Sequence, residues 1–172
     1  MIARFAALLL LSATWSAFAS KSSAATFVSM SEKTEQELRE TYKHLIDAEN
    51  AHDIDAVARF VWDSPSALFV AKTKTAAEGI WAGFWGKDVV VGHLSELYHG
   101  TFIMDPDYGR EKVTLLSRDV AQTYVPLNIS VDYSGQSGTP KPFLMIVEWI
   151  RVKGTWKMAT DIALPIPPPP AP

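Results

Sequence analysis

Residues 143–164 read FLMIVEWIRV-KG-TWKMATDIAL, two apolar runs joined by a Lys-Gly pair. Runs rich in β-branched and aromatic residues favour strands, and a two-residue link that ends in glycine is typical of a hairpin turn. Such a turn sets the cross-strand pairs Val152 with Thr155, Glu148 with Ala159 and Ile146 with Asp161. The stretch therefore predicts a β-hairpin with two acids on one face as diagonal neighbours.

Glu148 and Asp161 are the candidate catalytic residues of this hairpin. On the predicted face their neighbours are apolar, namely Ile146, Ile150 and Ala159. A carboxyl group in apolar surroundings is shifted toward its neutral form, and two carboxyl groups that share a site titrate at separate pH values. These properties suit a general acid or base. The alternative is a structural pair in which Lys157, on the same face, neutralises one acid.

The chain before the hairpin begins with three predicted helices. Thr34 and Glu37 match a capping box, and the helical stripe that follows to residue 51 is apolar until Glu49. Asp53 can cap a second, short helix. The third helix opens at Lys87 or Asp88 and ends before a glycine.

The remaining segments predict strands and one irregular stretch. Residues 67–71 have the composition of a strand, and the Gly- and Trp-rich residues 72–86 are predicted to be a loop or lid. Further strands are expected over residues 101–104, 112–117 and 120–133, ahead of the hairpin. A few helices followed by a run of strands is typical of the α+β class.

Residues 1–19 have the pattern of a secretory signal peptide. Arg4 is followed by an apolar run over residues 5–11 and by small residues before a cleavage site at Ser20. Cleavage after Ala24 and an uncleaved anchor are the alternatives, although the apolar run is shorter than a bilayer requires. We expect a secreted or periplasmic protein with no membrane span after cleavage.

The rest of the chain predicts one domain with short flanking segments. Residues 20–33 are small and polar and are expected to be a flexible leader, residues 34–164 to be the domain, and residues 165–172 to be a proline-rich tail. About 150 residues is an ordinary size for one domain. The tail cannot pair as a strand and is expected to be solvated.

Composition excludes several classes of function. The chain has no cysteine, which excludes disulfides and thiolate chemistry, and its four histidines lack metal-ligand spacing. Without Arg4 the balance is 15 basic residues against 19 acidic ones, so no electrostatic footprint for nucleic acid is present. We expect no metal, no cofactor and no nucleic-acid partner.

Three short segments carry a resemblance to a known family. They are NAHDIDAV at residues 50–57, GKD at residues 86–88 and GTWKMATDI at residues 154–162. With the order of elements, they resemble the nuclear transport factor 2-like superfamily, in its SnoaL-like and ketosteroid-isomerase-like branches. The resemblance implies an α+β fold in which a curved antiparallel sheet wraps around three N-terminal helices, a cone-shaped, cystatin-like roll with an apolar pocket.

The resemblance also implies which residues face the pocket. Glu148 falls where ketosteroid isomerases place the acid that hydrogen-bonds the substrate oxygen, whereas their base falls at Ala71 and their tyrosine at Leu45. Steroid isomerisation by that arrangement is therefore not expected, and SnoaL-like cyclases, which need one pocket acid or base, are more similar. The expected ligand-binding residues are Val125, Leu127, Ile129, Ile146, Ala159, Tyr42 and Trp85.

Two classes of function follow from these predictions. The first is an exported domain that binds a small apolar molecule, with Asp161 and Glu148 available for acid/base chemistry of an isomerase, cyclase or hydratase kind. The second is a non-catalytic binding or association module. In both, a homodimer is expected through the sheet face that carries Val147, Trp149, Trp156, Met158 and Ile162.

Overall fold

Three helices cover one face of a curved sheet that is antiparallel except for one strand pair. The computed structural model describes residues 22–75 and 80–167, with side chains from residue 31 onward. Within these ranges the helices are α1 (Ser22–Asn50), α2 (Ile54–Phe60) and α3 (Lys87–Leu97). The strands are β1 (Leu68–Lys72), β2 (Trp81–Trp85), β3 (Phe102–Pro106), β4 (Lys112–Ser117), β5 (Val120–Val131), β6 (Pro140–Val152) and β7 (Thr155–Pro165).

The strand order is β2-β1-β7-β6-β5-β3, and β4 pairs with the first half of β5 while β3 pairs with its second half. Only β1 and β7, among the strands of the described ranges, run parallel. The sheet is curved and unclosed, with β2 at one edge and β3 and β4 at the other. The predicted α+β class with a curved sheet around helices is confirmed.

The turn between β6 and β7 forms as the sequence predicts. Lys153 and Gly154 have φ angles of +50° and +84°, the left-handed pair that suits a tight hairpin, and Val152 pairs with Thr155. Further along, Trp149 pairs with Met158 but Glu148 pairs with Thr160, so the strand carries a one-residue β-bulge at residue 159. A bulge inverts the facing of every later residue.

The bulge makes the predicted shared face of the two acids wrong. Asp161 pairs with Val147 and points to the inner face, whereas Glu148 points to the outer face, where it is half-buried. The inner face also carries the aromatic residues Trp149 and Trp156, which are buried against the helices. Most of the face predicted for dimerisation is therefore the core face, so the choice of that face is wrong, while the homodimer itself stays a prediction.

The core lies between the inner face and the apolar stripe of α1. That stripe is fully buried at Leu38, Tyr42, Leu45 and Ile46. The inner-facing residues of the three long strands are Ala121, Thr123, Val125, Leu127, Ile129, Val131, Phe143, Met145, Val147, Trp149, Trp156, Met158, Asp161 and Ala163. Alternate burial along each strand explains why the periodicity of the sequence identifies most of them.

Helix α1 starts earlier than the sequence predicts. It begins at Ser22, so the residues up to 33, predicted as a flexible leader, are helical, and Thr34 lies inside the helix. No glycine or proline occurs between residues 22 and 33, and nothing in that stretch stops a helix from extending.

The predicted signal peptide, at residues 1–19, lies outside the described residues. No helix in the described part of the chain combines the length and apolarity needed to cross a membrane.

The predicted loop or lid contains a strand instead. β2 pairs with β1 along its whole length, from Leu68 with Trp85 to Lys72 with Trp81. The aromatic residues of this stretch favour strand structure, and its glycines hid that signal from the sequence analysis. The predicted tail also begins later, because Pro165 ends β7 and the N–H of Ile166 donates to the carbonyl of Pro142 at 3.0 Å.

Candidate functional site

Asp161 is buried in the middle of the sheet. It pairs with Phe69 of β1 and Val147 of β6, and the residue is only 2% exposed. One carboxyl oxygen, Oδ1, has no hydrogen-bond partner. Burial raises the pKa of Asp161 to about 7, and a hydrogen bond from the backbone of Ile162 opposes that shift. The carboxyl group can therefore gain or lose a proton near neutral pH.

Glu49, which the sequence analysis did not select, is the acid that accompanies Asp161. It lies in the last turn of α1 and is 2% exposed. Burial, and then the negative charge of Asp161, raise the pKa of Glu49 well above its ordinary value. Its position continues the buried stripe of Leu45 and Ile46, and a glutamate at a core position of a helix was the signal available in the sequence.

Two tyrosine hydroxyls complete this interior cluster. The hydroxyl groups of Tyr42 and Tyr98 are buried without a hydrogen-bond partner. Burial first, and then the charges of Asp161 and Glu49, raise the pKa values of both tyrosines, so both remain neutral. A neutral phenol can donate a hydrogen bond, and buried polar atoms without partners are rare in folded proteins. The cluster thus offers unpaired donors and acceptors inside an apolar core.

Contacts at the end of α1 hold the cluster in place. Asn50 bonds the backbone of Met104 twice, donating from Nδ2 to the carbonyl at 2.9 Å and accepting from the N–H at 2.7 Å. Just after the helix, His52 adopts a φ of +55° and its Nε2 lies 2.9 Å from the carbonyl oxygen of Phe102. The His52 ring stacks on Tyr98 with centroids 4.9 Å apart.

A small apolar cavity lies on the same inner side of the sheet, and none of Asp161, Glu49, Tyr42 and Tyr98 lines it. Its volume is about 40 Å³, and it is lined by Ala163, the inner-facing residue after Asp161, and by the neighbouring Phe69 of β1. Ala71, the position at which the resemblance places the isomerase base, also lines it. The cavity has room for about one water molecule, while small-molecule sites measure several hundred Å³. The rest of its wall comprises Lys72, Trp81, Leu97, Phe102, Ile129, Val131, Gln136, Phe143 and Met145.

The residues predicted to bind a ligand divide into two groups. Tyr42, Val125, Leu127 and Ile129 are buried on the inner side, and Ile129 lines the cavity. On the outer side lie Ile146, which is half-buried, and Trp85, which is 59% exposed. The half-buried Ala159 is the bulge residue. Glu148 is likewise excluded from the interior, because it sits between Gln122 and Thr160 on the outer face.

The histidines do not form a metal site in this structure. Among residues 22–75 and 80–167, no group of three or more histidines or acids is arranged to hold a metal ion. His93 is buried against the ring of Phe84, with centroids 3.7 Å apart, and burial lowers its pKa. It packs as a neutral aromatic residue.

The interior cluster has the properties of an acid/base site. Burial raises the pKa of Asp161 to about 7, and burial, followed by the charge of Asp161, raises the pKa of Glu49 well above its ordinary value. Two carboxyl groups with raised pKa values and two phenols can together accept a proton from a ligand and donate hydrogen bonds to an oxygen that becomes negative.

No protein-family model matches this chain, and no curated protein is significantly similar to it in sequence. Comparison of the fold with solved structures, in contrast, finds many similar proteins.

The similar structures define the fold class. An uncharacterized protein with a cystatin-like fold from Caulobacter vibrioides aligns with a TM-score of 0.62 and 12% identity over 74% of this chain and 85% of that chain. An NTF2-like protein with a cystatin-like fold from Novosphingobium aromaticivorans aligns with a TM-score of 0.61 and 13% identity over 86% and 92%. An NTF2-like protein from Streptomyces avermitilis, provisionally described as a dehydratase, aligns with a TM-score of 0.61 and 15% identity over 80% of this chain and 99% of that chain.

The chain therefore has the cystatin-like fold of NTF2-like proteins, as its resemblance to that superfamily implies. At these identities the likeness establishes the fold, and function has to be argued from the site. The SnoaL-like branch stays a prediction.

Proposed function

We propose that this protein binds a small apolar molecule in the cone and transfers a proton with Asp161 as the general base or acid. The observation that carries the proposal is the unpartnered Oδ1 of Asp161, 2% exposed and accompanied by two unpartnered tyrosine hydroxyls. Buried polar atoms are costly to leave unpaired, and such groups are commonly retained where a ligand or a reaction uses them. Glu49 replaces Glu148 as the second acid in this proposal.

The proposed chemistry is removal of a proton from a carbon next to a carbonyl group. The Asp161 carboxylate accepts the proton, and the carbonyl oxygen, which becomes an enolate, accepts a hydrogen bond from Tyr42 or Tyr98. Return of the proton to the same or another carbon gives exchange or isomerisation. Transfer of the proton to the oxygen of a β-hydroxyl group, whose C–O bond breaks as the enolate collapses to the alkene, releases water and gives dehydration. Burial raises the pKa of Glu49 well above its ordinary value, which favours its uncharged form beside the developing enolate.

Ligand entry requires the cavity to widen. The present volume of about 40 Å³ is smaller than even a six-membered ring. Trp81 is half-buried in the wall, with its ring 6.4 Å from that of Phe143, and belongs to the edge strand β2. Outward movement of this side chain is the smallest change that enlarges the cavity, so we expect Trp81→Ala to bind ring-shaped ketones more tightly.

Deuterium exchange of simple cyclic ketones tests the proposal. Cyclohexanone and 1-indanone in D₂O are followed by ¹H NMR with the protein at pH 6 to 8. We expect exchange to become faster as Asp161 ionises near pH 7, because the carboxylate is the active base. Asp161→Asn should abolish the protein-dependent rate.

Glu148→Gln is the matched control, since it removes a carboxyl group from the outer face of the neighbouring strand. It should leave the exchange rate unchanged. Equal rates for the native protein and Asp161→Asn across both ketones would contradict the proposal. Loss of exchange in Glu148→Gln would mean that Glu148, the acid predicted from the sequence, takes part in the proton transfer.

A second candidate function is association without catalysis. Its supporting observations are the nearly filled cavity and the apolar outer face of the sheet, where partly exposed aliphatic residues stand on β6 and β7: Leu144, Ile146, Ile150, Ile162 and Leu164. In this alternative two copies pair through that face. Sedimentation should then report a dimer that Ile146→Glu dissociates and that Val89→Glu, a surface change on α3, leaves intact.

We also propose that the protein is exported, on the strength of the signal-peptide pattern in residues 1–19. Expression of the full chain in a bacterium and mass spectrometry of the periplasmic fraction test this proposal. The expected product begins at Ser20. An uncut chain in the cytoplasm or the membrane would contradict it.

A further inference from the structure

A second concave surface lies outside the cone, where α1 and α2 meet the turn between β6 and β7. This surface, the α1–α2 groove, has a volume of about 520 Å³, within the range of small-molecule sites. Its apolar part consists of Ala48 of α1 and Ala56 and Phe60 of α2. Trp156, at the start of β7, forms another part of its wall.

The groove carries cationic groups that lack anionic partners. Arg59 lines it, is exposed, and forms no ion pair with any residue of the described ranges. Lys157 lines it as well, and its Nζ donates to the carbonyl oxygen of Arg59 at 2.5 Å. The acid of the groove, Glu37, is bound to Arg151 at 3.0 Å. The groove therefore presents positive charge on a protein whose net charge is −3.

Trp156 supplies an independent indication of a missing hydrogen-bond acceptor. The residue is 2% exposed, and its indole N–H has no acceptor among the described residues. The guanidinium of Arg151 lies over its ring, 4.5 Å from the centroid, and keeps the indole in place. A buried N–H without an acceptor is uncommon and is satisfied when a ligand oxygen reaches it.

We propose that the α1–α2 groove binds a small organic carboxylate. The carboxylate lies between Arg59 and Lys157 and accepts a third hydrogen bond from the indole N–H of Trp156. The hydrocarbon part of the ligand covers Ala48 and Phe60. Charged hydrogen bonds to a carboxylate are stronger than neutral ones, which makes the anion the feature that is recognised. This site is separate from the interior cluster and is independent of the function proposed for it.

Binding of hexanoate tests the proposal directly. Sodium hexanoate is titrated into the full protein up to tens of millimolar, and the indole N–H signals are followed by ¹H–¹⁵N NMR, with Trp156→Phe used for assignment. We expect the Trp156 signal to move, hexanamide to bind at least about tenfold more weakly because it lacks the charge, and added salt to weaken hexanoate binding.

Two substitutions that each remove one positive charge distinguish binding in the groove from binding elsewhere on the surface. Arg59→Gln should weaken hexanoate binding about tenfold. Arg110→Gln, which removes the same charge from an exposed residue that does not line the groove, should change it little. The proposal is overturned if Arg59→Gln binds hexanoate as the native protein does, if the Trp156 signal does not move, or if binding depends on Asp161 and so belongs to the cone.

Discussion

The pH dependence of stability is the sharpest consequence of burying Asp161. The pKa of this carboxyl group in the folded protein, about 7, lies above its ordinary value of 3.8. Between these two pH values the folded state binds more protons than the unfolded state. The free energy of unfolding therefore falls as the pH rises through this window, and it levels off above pH 7.

The magnitude follows from the width of that window. A shift of about three pKa units corresponds to about 4 kcal/mol in total, since each unit is worth about 1.4 kcal/mol. Part of this is already lost below pH 5, where the unfolded carboxyl group ionises. Between pH 5 and pH 8, Asp161 should lower the free energy of unfolding by about 2–3 kcal/mol.

Urea unfolding of the native protein and of Asp161→Asn at pH 5, 6, 7 and 8 measures this term. The native curve should fall by about 2–3 kcal/mol more than the curve of the variant, whatever constant offset the substitution introduces. Asp119→Asn, an exposed change in the turn between β4 and β5, should follow the native curve. Parallel curves for the native protein and Asp161→Asn would refute the reasoning, because they would mean that Asp161 titrates alike in the folded and unfolded states.

Four further changes should alter stability through contacts that the acids themselves do not make, and thermal or urea unfolding measures each. Thr123→Val removes the hydroxyl that accepts a hydrogen bond from the buried indole N–H of Trp149 at 3.0 Å, and it should lower the free energy of unfolding by about 1–3 kcal/mol. An unchanged free energy of unfolding would mean that water or another acceptor replaces the hydroxyl. Asn50→Ala breaks two bonds to the β3 backbone and should cost about 2 kcal/mol, with the end of α1 exchanging its amide protons faster. Gly92→Ala, in an open position of α3, should stabilise by about 0.5–1 kcal/mol. Gly100→Ala should destabilise, because its new Cβ would lie 2.6 Å from a backbone carbonyl oxygen, and a gain in stability there would contradict the packing.

The class of fold was accessible from the sequence because its signals are local. Alternation and turn residues located the six strands other than β2, to within a few residues, and Asp53 does cap α2 by accepting the N–H of Ala56 at 2.9 Å. β2 was missed because glycines interrupt its aromatic residues. The start of α1 was misplaced because a capping box can also occur inside a longer helix.

Only part of the site could be predicted from the sequence, and the main physical reason is the bulge at Ala159. Strict alternation places Glu148 and Asp161 together, and no pattern in the sequence marks Ala159 as the bulge that separates them. Glu49 was visible as a charged residue in an apolar helical stripe, but its meeting with Asp161 depends on how α1 packs against the sheet. Long-range packing of this kind is not encoded in the period of either element.

Because of the bulge, the number of residues in β7 determines which face of the sheet Asp161 points to. The stretch before it is tied to the end of α2, where Met158 forms a bridge with Val61 and accepts the N–H of Trp62 at 2.9 Å. The stretch after it is tied to β1 through the pairing of Asp161 with Phe69. Deleting one residue between these two anchors would turn the side chain of Asp161 from the buried inner face to the outer face of the sheet. The ionisation of Asp161 therefore depends on the length of this strand as much as on the residues around it.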